Sequence, residues 1–211
     1  MNKKLDNFGL QWQEFRKTQL DSYTKLKLSE TRIQRIIREP IDKSLKGKKV
    51  LEVGCGAGRF TEILAQYADE IYVVDATDAI LACKDNTKDF KNIKYFKCDL
   101  LNMPFLKASF DVVVCIGVLQ HTENVKKSVV QIAEFVKPGG KIYVDCYTYK
   151  WKNLPPPLGG FGNIFRLFVK RLDSKKALSV TKIWVDYFFP KHWKYRNSKI
   201  MQALLFRISP V

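Results

Sequence analysis

The stretch Lys49-Val-Leu-Glu-Val-Gly-Cys-Gly-Ala-Gly-Arg-Phe60 decides the fold. Val50, Leu51 and Val53 make an apolar, β-prone run that breaks at once into Gly54, Gly56 and Gly58. A helical pattern then begins with Phe60, Ile63, Leu64 and Tyr67. A strand that passes through glycines into a helix is a βα turn whose backbone can lie against a ligand. The helix start adds unbonded N–H groups and the positive end of a dipole.

Downstream, strands are expected at Val50–Val53, Ile71–Val74, Ile93–Cys98, Asp111–Ile116 and Lys141–Cys146. Helices are expected between them near Arg59–Tyr67, Asp78–Lys88 and Glu123–Phe135, with a loop over Asp99–Ser109. Continuous apolar strands separated by helices mean a parallel sheet covered on both faces. Right-handed crossovers make it doubly wound, so the fold class is α/β.

Upstream, residues 1–46 read as helical, with Ser29 as an N-cap, Ile33, Ile36 and Ile37 as a buried stripe, and Glu39-Pro40 as the stop. After Tyr149 the pattern changes at Pro155–Pro157 and Gly159-Gly160. Phe161, Ile164, Phe165, Phe168, Val169 and Leu172 then share a helical face, and Ala177 to Phe188 suggest a second helix stopped at Pro190. Three segments follow: a helical leader at 1–46, an α/β core at 47–150, and a basic aromatic segment at 151–211.

The 211 residues fit one domain with an appendage, and 46% hydrophobic content argues for a packed core. The first residues lack an apolar signal core, and no apolar run approaches the ~20 residues of a membrane span. Five scattered cysteines without a CxxC pair support neither a disulfide framework nor a zinc site. Reduced thiols and a cytoplasmic location are expected, with attachment to a membrane surface left open. The net charge is +16, and residues 151–211 hold 12 Lys/Arg against 2 Asp/Glu. That tail suits phosphates, an anionic membrane or simple solvation.

In a doubly wound sheet, ligands sit beyond the carboxyl ends of the strands. There the sequence places the glycine turn, Asp75 after strand two, Asp99 after strand three, and Cys115–Gln120 at the end of strand four. Asp75 lies 17 residues past Gly58, near the spacing of an acid that bonds ribose hydroxyls. A nicotinamide fingerprint needs glycine where Arg59 stands, and no Gly-Lys-Ser/Thr exists for a triphosphate loop.

Glu52-Val-Gly-Cys-Gly-Ala-Gly58 resembles the first motif of class I S-adenosylmethionine-dependent methyltransferases. Phe110 to Thr122 is similar to that family's strand-four segment, and Val136-Lys-Pro-Gly-Gly-Lys141 to the turn before its strand five. The likeness covers about residues 45–147 and is closest to the ubiquinone-biosynthesis-like branch, which Phe8-Gly-Leu-Gln-Trp12 and Leu20 to Thr24 also resemble.

The resemblance implies S-adenosylmethionine as cofactor, S-adenosylhomocysteine as product, and a small or lipid-linked acceptor methylated on oxygen or carbon. It implies that Gly54, Gly56 and Gly58, with Cys55 between them, pass under the methionine part while Glu52 orders the loop. Asp75, followed by Ala76, would bond the ribose, and Asp99 with Leu100 would meet the adenine amino group. Ile116 would offer its carbonyl to the methionine ammonium, with Gln120 nearby. Ile80 and Met103 would flank the adenine. The leader (Trp12, Tyr23, Arg32) would fold over the cofactor, and Arg32 or Arg59 would pair the methionine carboxylate.

His121, just past strand four, is the candidate base, against the plainer role of ordering its loop. Cys115 follows Val114 rather than proline, so core packing outweighs a nucleophilic role, and the Asn/Asp-Pro-Pro-Tyr/Phe pattern of nucleic-acid amino methylation is absent. Nucleic acid is therefore disfavoured as substrate. The segment 151–195 reads first as a substrate cap, then as a membrane-surface helix, then as a partner docking face. The family's closing hairpin is not legible after residue 150, so the segment reads as truncated, and a non-catalytic cofactor-binding or RNA-binding module is the alternative.

Overall fold

The structure, a computed structural model, describes residue 9, residues 11–146 and residues 161–209 apart from the Asn163 side chain. It divides into two compact units, Met1–Tyr147 and Thr148–Val211.

In the first unit, residues 11–14 are helical and lead to α1 (Asp21–Thr24), α2 (Leu28–Ile37) and α3 (Ile41–Leu45). Then come β1 (Lys49–Val53), α4 (Thr61–Leu64), β2 (Glu70–Asp75), α5 (Ala79–Asn86), β3 (Ile93–Lys97), β4 (Phe110–Ile116), α6 (Val125–Ala133) and β5 (Val136–Asp145). The strands form one sheet in the order β3-β2-β1-β4-β5. All four pairings are parallel, with Val50 opposite Ile71 on one side and Val112 on the other. The glycine turn therefore leaves the central strand.

The two-residue period of the strands sorts the core. Val50, Ile71, Val73, Val112 and Val114 face a cluster built with Ile33, Ile37, Ile41, Leu45 and Leu64. Residues 28–45 of the leader are thus a covering layer of the sheet. Leu51, Val53, Val74, Val113 and Cys115 face the other way, against Leu119, Ile132 and Phe135. The loop after β3 is pinned here by Phe105, whose ring lies edge-on to Phe96 at 4.9 Å, Phe110 at 5.4 Å and Tyr72 at 5.6 Å. Each such pair adds about 0.5–1.5 kcal/mol beyond burial.

Local details depart from the sequence reading. Ser29 is not the N-cap of α2; the helix starts one residue earlier, and the Asp21 carboxylate accepts from the Ser29 and Glu30 N–H groups. An acid eight residues upstream does what a cap does locally. The helix after the glycine turn is short, and β5 begins at Val136 instead of Lys141. Residues 137–140 bulge between the pairs Phe110–Val136 and Val112–Lys141, and Gly139 takes φ +77° there.

The second unit contains α7 (Gly162–Val169), α8 (Ser174–Lys194) and α9 (Lys199–Ile208). Pro190 does not stop α8, which runs through it to Lys194, and α9 is a helix the sequence reading passed over. The Pro155–Pro157 and Gly159-Gly160 break lies outside the described residues, as does Phe8. Among the described residues no strand follows β5.

Candidate functional site

The three glycines of the turn adopt φ values of +78°, +54° and +91°. At Gly54 a Cβ would lie 2.2 Å from Val118 Cγ2, so the close approach of this loop to the segment after β4 requires glycine. The Gly54 and Cys55 N–H groups both donate to the Val74 carbonyl, at 2.7 and 3.1 Å. The loop is thereby folded back onto the end of β2.

Asp75 holds the loop from that end. Its Oδ2 accepts from Gly56 N–H at 2.9 Å, and its Oδ1 accepts from Thr77 N–H at 2.9 Å and from the Thr77 hydroxyl at 2.7 Å. Ala76 sits inside this Asp-x-Thr turn. A carboxylate offers about four acceptor positions, and three are used, which leaves capacity for one donor. Asp99 accepts from Leu101 N–H at 2.8 Å and so starts the 3₁₀ turn Leu100–Asn102. Among the described residues no Lys or Arg comes within ion-pair distance of Asp75 or Asp99.

Glu52 lies on β1 one step before the turn and is 3% exposed. Thr61 Oγ1 donates to its Oε2 at 2.7 Å, which fixes the start of α4 to the strand beneath it. Burial pushes the Glu52 carboxyl up to about 7, with Asp75 adding to the rise and the Thr61 bond opposing it. Burial likewise raises the Cys55 thiol, and it pushes Cys115, fully buried in the core, up to about 12, which disfavours a thiolate there.

The leader reaches this rim at several points. The Trp12 indole is the nearest group to the position a Cβ on Gly56 would take, at 3.4 Å. Buried Glu62 accepts from the Asp21 N–H at 2.6 Å. Arg59 donates to Ser29 Oγ at 2.9 Å and Gln19 Oε1 at 3.3 Å, and Arg32 donates to Asp145 Oδ2 at the end of β5. Both guanidiniums lie against the Phe60 ring, at 5.0 Å for Arg59 and 5.8 Å for Arg32. Tyr23, by contrast, is 63% exposed, with Lys17 Nζ 6.0 Å over its ring.

After β4, buried Ile116 leads into Gly117, whose N–H donates to the Asp145 carbonyl at 2.9 Å. The 3₁₀ turn Leu119–His121 follows. Gln120 Nε2 donates to the Gly117 carbonyl at 2.7 Å, and its buried Oε1 has no partner among the described residues. A buried acceptor left unbonded costs about 1–3 kcal/mol, so this oxygen awaits a donor. His121 is exposed at the end of the same turn. Ile80 and Met103 are both buried but lie in different core clusters, on opposite faces of the sheet. Thr61, Thr77 and Val118 are the site residues that sequence reasoning missed; the Asp75-x-Thr77 spacing was the available signal for one of them. Among the described residues no cluster of His, Cys, Asp or Glu could hold a metal ion.

The other end of the sheet is built differently. A cavity of about 390 Å³ opens there among Lys43, Lys48, Asp111, Lys137, Gly140 and Lys141. Its acid is spent internally: Asp111 accepts from Lys137 Nζ at 2.8 Å and from Lys49 N–H at 2.9 Å.

A central-strand glycine turn, two acids on neighbouring strand ends and the order β3-β2-β1-β4-β5 define a Rossmann-like α/β domain, a fold whose ligand crevice lies at the carboxyl rim. Residues 51–144 match the family described as "Methyltransferase domain", and this segment is similar to the class I S-adenosylmethionine-dependent methyltransferases.

The chain is 29% identical over 129 residues to the ubiquinone biosynthesis O-methyltransferase of Coxiella burnetii, a match covering 60% of this chain and 55% of that protein. It is 34% identical over 177 residues to phosphoethanolamine N-methyltransferase 1 of Triticum aestivum, covering 80% of this chain and 31% of that one. The chain thus spans about half the length of the first relative and a third of the second. Among solved structures, N-methyltransferase NodS from Bradyrhizobium japonicum, in complex with S-adenosyl-L-homocysteine, is similar at a TM-score of 0.53 and 24% identity. That match covers 66% of this chain and 72% of the other, and it supports the fold.

Proposed function

We propose that this protein transfers a methyl group from S-adenosylmethionine to a small or lipid-linked acceptor, with oxygen the favoured acceptor atom. One observation carries the reading: within the segment that matches the methyltransferase family, a bare-backbone turn and, among the described residues, two acids without cations and an unpartnered amide oxygen converge on one rim. The residues fit the cofactor. Gly54, Gly56 and Gly58 leave room for its amino-acid part, and Asp75 keeps one acceptor position for a ribose hydroxyl. Asp99 and Leu100 would meet the adenine edge. Gln120 Oε1 and the carbonyl at Ile116 are acceptors for the ammonium, and Arg32, which also pairs with Asp145, or Arg59 is the cation for its carboxylate.

The bound sulfonium supplies an activated methyl group. The chain's own task is then to hold the acceptor in line and keep water out, an advantage worth about 7–11 kcal/mol at best. Val118, Trp12 and Phe60 supply apolar walls. His121 is the group that takes the acceptor's proton. The ubiquinone-biosynthesis relative favours a hydroxyl acceptor on a small or lipid-linked ring compound. The test is titration calorimetry with S-adenosylhomocysteine, followed by transfer of labelled methyl to catechol-type acceptors. The protein should bind the nucleoside, and His121→Ala should lose turnover while keeping that affinity. Failure of the wild-type protein to bind it ends this reading.

A further inference from the structure

The second unit turns apolar side chains outward on each of its three helices. On α9, Ile200, Leu204 and Ile208 fall one turn apart and are 77%, 51% and 60% exposed. At α7, exposed Phe161 (its N-cap), Ile164 and Phe168 fall at i, i+3 and i+7, and α8 adds exposed Ile183, Tyr187 and Trp193. Exposed apolar stripes of this kind mark docking surfaces.

The charge around them says what docks. Residues 161–209 carry 11 Lys/Arg against Asp173 and Asp186. Asp173 is occupied as the N-cap of α8, accepting from the Lys175 and Lys176 N–H groups at 3.1 Å. Near the end of α8, Lys191 Nζ lies 3.2 Å from the Tyr187 ring centroid and the Arg196 guanidinium 4.8 Å from that of Trp193. Such pairs present an apolar body with a charged head, as side chains at a lipid–water boundary do.

We propose that α7, α8 and α9 dock on a membrane surface rich in anionic lipid, their aliphatic stripes entering the headgroup boundary and their cations meeting lipid phosphates. Nucleic acid would use the cations and the aromatic rings, but it gives Ile183, Ile200, Leu204 and Ile208 nothing to bury against. Among the described residues no helix is long and apolar enough to cross a membrane, so the contact proposed is peripheral. The proposal is independent of the methyl-transfer reading, because docking requires no cofactor.

The experiment is co-sedimentation of the full chain with phosphatidylcholine vesicles, with and without phosphatidylglycerol, and with an unstructured RNA as competitor. Retention should be at least ~10-fold stronger on the anionic vesicles and should weaken as salt shortens the screening length from about 10 Å to about 3 Å. The variant Ile200→Ser/Leu204→Ser/Ile208→Ser should lose about 10-fold in retention with unchanged helical circular dichroism. Should that variant not fold, Lys199→Glu/Arg207→Glu tests the same face through its charge and should weaken anionic retention alone. Equal retention on both vesicle types, retention on neither, indifference to both variants, or RNA binding without vesicle binding would each overturn the proposal.

Discussion

The two ends of the one parallel sheet use acids in opposite ways. At the amino end, Asp111 is locked by Lys137 and the Lys49 N–H; burial raises its carboxyl, but these bonds outweigh burial and hold it below its usual range. Glu39, bonded to Lys141 and Tyr143 of β5, is held down to about 2, first by the Lys141 ammonium and then by the Tyr143 hydroxyl. At the carboxyl end, among the described residues, Asp75 and Asp99 bond only backbone N–H groups and the Thr77 hydroxyl, and no cation comes within ion-pair distance. Acid closed by lysine is a fastener. Acid held by backbone alone still has charge and lone pairs to offer a ligand. The amino-end cavity therefore reads as structural, and the glycine rim is the end proposed above to carry the chemistry.

The largest expected effect lies at Gly54. Alanine there meets Val118 and a φ of +78°, which together should cost roughly 2–5 kcal/mol in a urea melt. Adding Val118→Ala should return the steric share and leave the backbone share. Full recovery in the double variant would show that the backbone angle is not a constraint.

Glu52 comes next. Its carboxyl is raised to about 7 in the folded protein from an ordinary 4.5, so between these values the folded chain binds more protons than the unfolded one. Stability should therefore fall as pH rises from 4.5 to 7, by up to ~3 kcal/mol. Glu52→Gln keeps an acceptor for Thr61 and should flatten that decline. A parallel pH profile in the two proteins would mean that Glu52 is ionised at no cost.

At the rim itself, Asp75→Ala should weaken S-adenosylhomocysteine binding by ~1–3 kcal/mol, through loss of the ribose acceptor and of the Gly56 anchor. The smallest effect tests the contrast from the other side. Asp111→Ala should cost roughly 1–2 kcal/mol of stability and change nucleoside affinity by no more than about twofold. Comparable losses of affinity from the two substitutions would erase the distinction between the rims.

Much of the carboxyl rim was legible in the sequence because its signals are local. Glycines follow a strand directly, and acids stand at strand ends, so the glycine turn, the five strands and the buried Cys115 could be read from neighbours alone. What was not legible is held by distant partners. Asp21 caps α2 from eight residues upstream, and Glu62 ties α4 to the leader across 41 positions. Pro190 looked like a stop, yet removing one N–H does not end a helix whose Trp184 and Phe188 rings stack at 5.8 Å. The helix α9 did carry a signal, with Ser198 as its N-cap and Ile200, Leu204 and Ile208 at regular spacing, but its apolar face points away from any core.

The most direct measurement is a crystal of the protein soaked with S-adenosylhomocysteine. The account predicts nucleoside density across the carboxyl ends of β1, β2 and β4, with a ribose hydroxyl on Asp75 and the chain backbone of Gly54–Gly58 beneath it. Density in the lysine-lined cavity at the amino ends, with the glycine rim filled by Trp12 or Phe60, would contradict it.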